Sequence, residues 1–261
     1  MTLRTFFLGA VTAFALVPSV AQPAQAQSGG DPLGGKFSIE DATRGVPGQG
    51  VLSANIETTM GTFHCELFEK VAPLAVANFV GLARGLRPFR DPTSSEWKKK
   101  PFYDGLIFHR VIPGFMIQGG DVTGRGSGNI GYSIPDEKNA PHSFATGGMM
   151  AMANRGPNTA SAQFFITEKE TSPLDDGGRA GGHYQIFGQC DEVELVKKIA
   201  ATPRNPMDRP LQEVKMTKVT IKRDSGAAPA GGDAAPAGGK TPAKSKAGVP
   251  KKAAAKASSK G

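Results

Sequence analysis

Residues 51–67, VLSANIETTMGTFHCEL, restrict the fold of this chain more than any other stretch. Leu52, Ala54 and Ile56 alternate with polar neighbours, Thr59-Met60-Gly61 reads as a turn, and Phe63, Cys65 and Leu67 alternate again. A period of two sends every second side chain to one face, so the segment predicts an antiparallel hairpin with one apolar face. A lone hairpin is at best marginal in water, so that face has to be covered by other parts of the chain.

Two helical patterns can cover it. One opens near Pro73, carries Val76, Phe79, Val80 and Ala83 at i, i+3, i+4, i+7 spacing, and stops at Gly85. The second has Asp191 placed as N-cap with Glu194 three residues on, Val193, Val196 and Ile199 on one face, and Lys197 and Lys198 near its C-terminal end. A last strand is expected from about Val214 to Ile221. Short strands, 34 glycines and only two helices favour a mainly β fold, a closed β-barrel rather than an α/β layer structure.

The ends of the chain have a different composition. Residues 1–26 combine Arg4, an apolar run from Phe6 to Val17 and Ala24-Gln25-Ala26, the layout of a secretory signal peptide. The run is too short for a membrane span. The protein is therefore expected to be exported, periplasmic or secreted, after cleavage near Ala26, with residues 27–50 as a flexible lead. From Ser225 to Gly261 there is no aromatic residue, and a disordered Lys/Ala/Pro-rich tail is expected. Its seven lysines and one aspartate supply +6 of the formal +8 and Arg4 one more, which leaves +1 for the rest. The basic pI is thus a property of the tail. A domain so nearly neutral, with no basic stripe interleaved with aromatics, gives no ground for specific nucleic-acid binding. The tail is read either as a tether to an anionic envelope surface or as a solubilising extension.

Several apparent motifs lack the context that gives them meaning. Gly126-Ser127-Gly128-Asn129-Ile130-Gly131 fits a dinucleotide pattern, but Pro135 follows and no helix begins there, so it reads as a loop. His64, His109, His142 and His183 show no metal-ligand spacing, and Asp175-Asp176 reads as a solvated loop. Neither a metal nor a cofactor is expected.

What remains suits holding a peptide rather than attacking it. FHRVIPGFMIQGGD (108–121), MAMANRGPNTASAQFFIT (150–167) and, further on, LDD and HYQIFG follow one another in an order and at separations that resemble a cyclophilin, from about Val51 to Ile221. PFYDGLIFHRVIPGFMIQGGD is particularly similar to bacterial members. The resemblance implies an exported peptidyl-prolyl cis-trans isomerase domain over residues 51–224, on a closed eight-stranded antiparallel β-barrel capped by two α-helices. It also implies clients: proline-containing peptides and unfolded exported proteins, met by a monomer.

By the same resemblance Arg110 and Gln118 are the catalytic candidates, and Phe115, Met116, Phe165, Leu174 and Tyr184 line a proline pocket. Gln118, Gln163 and Asn154, with the backbone around Ala153, hold the flanking peptide. From periodicity alone the apolar members of this set read as ordinary core. The arginine suits a donor role because its charge is permanent and its N–H groups are rigidly arrayed. Three positions depart from the familiar eukaryotic pattern. Pro173 stands where a tryptophan important for cyclosporin is common, Tyr184 rather than His183 takes the place of the pocket histidine, and Arg155 replaces a small residue. Arg155 is read as favouring acidic flanking residues or as pointing into solvent.

Cys65 and Cys190 are the only two cysteines of an exported chain, so a disulfide is open to them. The alternation of Cys65 with Phe63 and Leu67 favours buried free thiols instead. Three functional classes follow: a foldase, a peptide-binding chaperone with incidental turnover, and an envelope interaction protein carried by its tail. Retention of the complete pocket with its arginine favours the foldase.

Overall fold

In a computed structural model, residues 30–138, 141–175 and 183–224 are described. The expected signal segment 1–26, the expected tail 225–261 and residues 176–182 lie outside them. The predicted hairpin is β1 (Val51–Thr58) and β2 (Gly61–Leu67), antiparallel with Ile56 opposite Phe63 and Ala54 opposite Cys65. Gly61 sits at φ +145°, a value open to glycine, and the Thr58 hydroxyl donates to its carbonyl at 2.6 Å.

Helix α1 (Ile39–Thr43) corrects the reading of residues 27–50 as a flexible lead. Ser38 and Asp41 form a capping box, while Phe37 and Ala42 are buried. Arg87, 3% exposed, lies 4.1 Å from the Tyr132 ring centroid and 5.5 Å from that of Phe37, with Asp31 at 3.6 Å. Five helical residues are too few to show a 3.6 period in sequence, and the aromatic and acidic partners come from elsewhere in the chain.

Helix α2 (Pro73–Ala83) keeps its expected limits, with Pro73 in its first turn and Gly85 beyond its end at φ +69°. It is buried from Ala75 through Ala83, almost all round, because α1 packs on the side away from the sheet. Its first free N–H groups, those of Leu74 and Ala75, are capped by the distant Glu137 carboxylate at 2.8 and 2.9 Å.

After a two-stranded pair, β3 (Phe89–Arg90) and β4 (Trp97–Lys98), come β5 (Arg110–Ile112), β6 (Met116–Gly119), β7 (Met149–Met152), β8 (Phe164–Thr167), β9 (Ile186–Cys190), α3 (Val193–Ala200) and β10 (Met216–Asp224). Helix α3 begins after Glu192, not Asp191. The Glu192 carboxylate instead accepts the His64 backbone N–H and meets the His64 Nδ1, both at 2.7 Å. Eight strands form one antiparallel sheet in the order β10-β1-β2-β9-β7-β8-β6-β5. The ladder is a curled sheet with β10 and β5 at its two ends, so the expected closed barrel reduces here to a mainly β fold with an open ladder. Backbone bonds from Phe108 N to Val214 O and from Met216 N to Leu106 O run between the segments leading into those ends.

Cys65 and Cys190 face each other across β2 and β9 and form a disulfide, which corrects the expectation of free thiols. Both are 1% exposed, so the expected burial holds and the expected free state does not. The partners lie 125 residues apart, and only the strand order makes them neighbours.

Candidate active site

The strands β6, β7 and β8 carry apolar side chains on both faces, with Gln118 and Thr167 as the polar exceptions. Ile117, Met150, Met152, Phe164 and Ile166 join the main core under α2, whereas Met116, Met149, Ala151 and Phe165 belong to a second cluster with Phe144 and Ile186. Alternation along each strand produces this division. Phe68, Ile112, Phe115, Ala153, Leu174 and Tyr184 pack on the second cluster while remaining partly exposed. It is therefore an apolar floor with an accessible rim.

The polar side chains stand on the same face. Arg110 on β5 is opposite Gln118 on β6, Gln118 is opposite Phe165 on β8, and Phe165 is opposite Ala151 on β7. Residues paired across an antiparallel ladder share a face, so this cross-strand row sets a guanidinium and an amide beside the apolar floor. Arg110 Nη1 lies 3.5 Å from Gln118 Oε1, and Gln118 Nε2 donates to Gln163 Oε1 at 3.0 Å. Gln163 Nε2 in turn donates to Gly126 O at 3.1 Å. Gln118, Ala153, Asn154, Thr159 and Gln163 line a polar depression next to the floor.

The structure brings every expected residue to this face, although not every side chain is presented as expected. Met116 and Phe165 are buried at 3% and 5% exposure and form the base, with Phe144 stacked on Phe165 at 5.9 Å. Phe115, Leu174 and Tyr184 form the half-buried wall, and Tyr184 sets its ring edge-on to Phe165 at 5.5 Å. His183 is exposed, and its carbonyl accepts from Asn154 Nδ2 at 2.6 Å. The Asn154 amide is thereby engaged in the scaffold. Arg155 does not run free into solvent, since its Nη2 donates to Gly126 O at 2.6 Å. Pro173 is exposed in a 3-10 turn, Ser172–Leu174, which carries Leu174 to the rim.

Three residues around this row were not legible in the sequence as parts of the site. Asp208 places Oδ2 3.8 Å from Arg110 Nε. Gly126 is the carbonyl on which Gln163 and Arg155 converge. His109 is 6% exposed, and neither ring nitrogen has a hydrogen-bond partner. Burial pushes the His109 pKa below its ordinary value, with Asp121 opposing and Arg209 and Arg110 reinforcing the shift. No periodic signal marks such residues, because each acts through contacts made across the fold.

Chemically, the site offers an apolar floor, a permanent cation at its edge and a row of amides, which suits gripping an apolar ring and donating to an atom beside it. Comparison with known proteins agrees with this geometry. The family model for cyclophilin type peptidyl-prolyl cis-trans isomerase matches residues 53–221. The peptidyl-prolyl cis-trans isomerase A of Mycobacterium tuberculosis is 41% identical over 172 residues, 65% of this chain and 91% of that protein. Peptidyl-prolyl cis-trans isomerase B of Streptomyces anulatus is 41% identical over 175 residues, covering 66% and 97% of the two chains. Among solved structures, a Cryptosporidium parvum cyclophilin type isomerase superposes with TM-score 0.54 at 30% identity, over 67% of this chain and 99% of that one. The same protein has also been solved in the presence of the dipeptide Ala-Pro.

Proposed function

This chain belongs to the cyclophilin type peptidyl-prolyl cis-trans isomerase family, and from that premise we propose that it turns X–Pro bonds of exported proteins at the face marked by Arg110. Its reaction is peptidyl-prolyl cis-trans isomerisation. Rotation breaks no covalent bond, but loss of amide conjugation raises a barrier of roughly 20 kcal/mol. As the bond twists, the prolyl nitrogen becomes pyramidal and regains a lone pair. A guanidinium N–H then finds an acceptor that the planar amide lacks, so the interaction favours the twisted state over both planar ones.

The other residues divide the remaining work. Met116 and Phe165 with Phe115, Leu174 and Tyr184 hold the proline ring, while Gln118, Gln163, Asn154 and the backbone around Ala153 hold the flanking chain. The Ala-Pro dipeptide present with the Cryptosporidium relative supports a proline-containing peptide as the ligand. The Phe108–Val214 and Met216–Leu106 backbone bonds, between the segments leading into β5 and β10, supply a stiff frame for the row.

The carrying observation is the single cross-strand row that puts Arg110 and Gln118 beside Phe165. Replacing Arg110 by alanine tests it: turnover of a short Ala-Pro peptide, measured by NMR exchange, should fall about 10²–10³-fold while the fold survives. Near-normal turnover in a folded Arg110→Ala protein would falsify the mechanism. Action on exported clients rests on the N-terminal segment 1–26 and is supported by the Cys65–Cys190 disulfide, a bond favoured in oxidising compartments. The tail of +6 is proposed as a tether to anionic envelope material, with salt-sensitive retention on anionic vesicles as its check.

A further inference from the structure

An arginine at a sheet edge is a poor catalyst unless its plane is fixed. The Arg110 side chain is 44% exposed, and a free one would sample many rotamers. Gln118 meets only the Nη1 end, at 3.5 Å. The other end faces a loop between α3 and β10, outside the row that holds the peptide.

That loop is held by its own backbone. Leu211 N donates to Pro203 O at 2.8 Å, and Asp208 N to Asn205 O at 3.0 Å. The Asn205 amide oxygen accepts from Met207 N at 2.9 Å and Arg209 N at 3.0 Å. At the tip, Asp208 adopts φ +62°, a left-handed conformation that aspartate tolerates better than most residues. Its carbonyl accepts from Val111 N at 2.8 Å, which ties the tip to β5 one residue past Arg110. Its carboxylate then sits between two arginines, with Oδ1 3.2 Å from Arg204 Nε and Oδ2 3.8 Å from Arg110 Nε. The adjacent Arg209 reaches the opposite wall and donates to Gly124 O, two residues from the Gly126 carbonyl that holds Gln163.

We propose that Asp208 is a positioning residue for Arg110, holding its Nε edge so that the Nη end stays over the proline floor. The proposal rests on the reading of Arg110 as the transition-state donor. A guanidinium is planar and rigid, so anchors at Nε and Nη1 define its plane and direct the remaining N–H groups. The carboxylate also dilutes the positive charge. That effect by itself weakens the donor toward the pyramidal nitrogen, so charge alone would make removal of Asp208 raise kcat, whereas loss of orientation lowers it. On the proposal, loss of orientation is the larger of the two, and the direction of the kcat change reads which one wins.

Two variants of the full chain separate the carboxylate from the backbone. Asp208→Gly deletes the side chain and keeps the positive φ open. Asp208→Asn keeps shape, φ tolerance and one oxygen while removing the charge. With Ala-Pro peptides, Asp208→Gly should lower kcat about 5-fold or more with KM within about 2-fold, because a small misplacement of a catalytic group is costly. Asp208→Asn should fall between it and the parent. The Arg110 Nε–H resonance should shift or broaden in both, a change that a merely structural loop residue would not cause. Unchanged kcat and an unmoved Nε–H signal in both folded variants would overturn the role of Asp208, provided Arg110→Ala is inactive. An active Arg110→Ala protein would overturn the site reading itself. Should Asp208→Gly fail to fold, the Asn variant decides alone: lower kcat with a moved Nε–H signal supports the proposal, and an unmoved signal ends it.

Discussion

The inner and outer apolar clusters share the strands β6, β7 and β8 and behave differently. In the inner one Phe79, Tyr103, Phe164 and Phe187 meet at centroid distances of 4.9 to 5.6 Å and are fully buried, with α2 supplying Phe79. The outer one has a buried base of Met116, Phe144 and Phe165, but its rim of Phe115, Leu174 and Tyr184 is half open. Helices close one face, and loops only border the other. A sheet face left short of cover is an apolar surface where a partner can supply the missing contacts, and here the cross-strand arginine stands on that face.

Phe164 and Phe165, adjacent in sequence and opposite in direction, give the sharpest way to break this contrast. Phe164→Ala should cost about 3–5 kcal/mol in urea unfolding while turnover per folded molecule stays near normal. Phe165→Ala should cost less stability and lose most peptide turnover. Equal stability losses with equal turnover would mean that the two faces are one core.

The disulfide belongs to the inner cluster, and removing it should act on stability alone. Cys65→Ala with Cys190→Ala is expected to cost about 2–4 kcal/mol, mainly by freeing the unfolded chain, with unchanged kcat on short peptides. Thiol titration of the unfolded, unreduced parent should find no free thiol. Finding two would restore the free-thiol reading.

The smallest effect concerns His109, buried next to Arg110 in the chain. Its folded pKa is depressed by burial, so below about 6.5 the unfolded chain binds more protons than the folded one. Stability should therefore rise with pH up to about 6.5 and then become independent of this group, with a slope of at most about 1.4 kcal/mol per pH unit below it. His142, also depressed by burial, adds a slope of the same sign. Comparing the parent with His109→Asn isolates the first contribution, and identical pH profiles would exclude it.

Much of the local structure was legible before any tertiary contact was known. The β1–β2 hairpin follows from alternation around a glycine turn, and α2 from its proline, its apolar spacing and Gly85. The site residues were legible through a long motif with its spacings, not through periodicity, which by itself assigned Phe115, Met116, Phe165 and Leu174 to an ordinary core. Helix α1 escaped because five residues hold too little pattern. The cap of α3 was misplaced by one residue because Asp191 and Glu192 are both acidic, and the contact with His64 that engages Glu192 spans 128 residues.

The sequence by itself determined the β1–β2 hairpin and the limits of α2, which ends of the chain differ in composition, and that residues such as Arg110, Gln118 and Phe165 belong to one motif. Only the tertiary structure decided which face each apolar residue serves. MMAM is apolar throughout, and FFIT is apolar up to Thr167, which is itself fully buried. A period of two is certain in a strand, but its phase is set by exposed polar neighbours, and these runs have none. Pairing Arg110 with Gln118 and Gln118 with Phe165 supplies that phase, just as packing β2 against β9 joins Cys65 to Cys190 and folding the 203–211 loop back on β5 brings Asp208 to the arginine. Contacts across tens to more than a hundred residues carry no local signature, because they become favourable only after the intervening chain has folded.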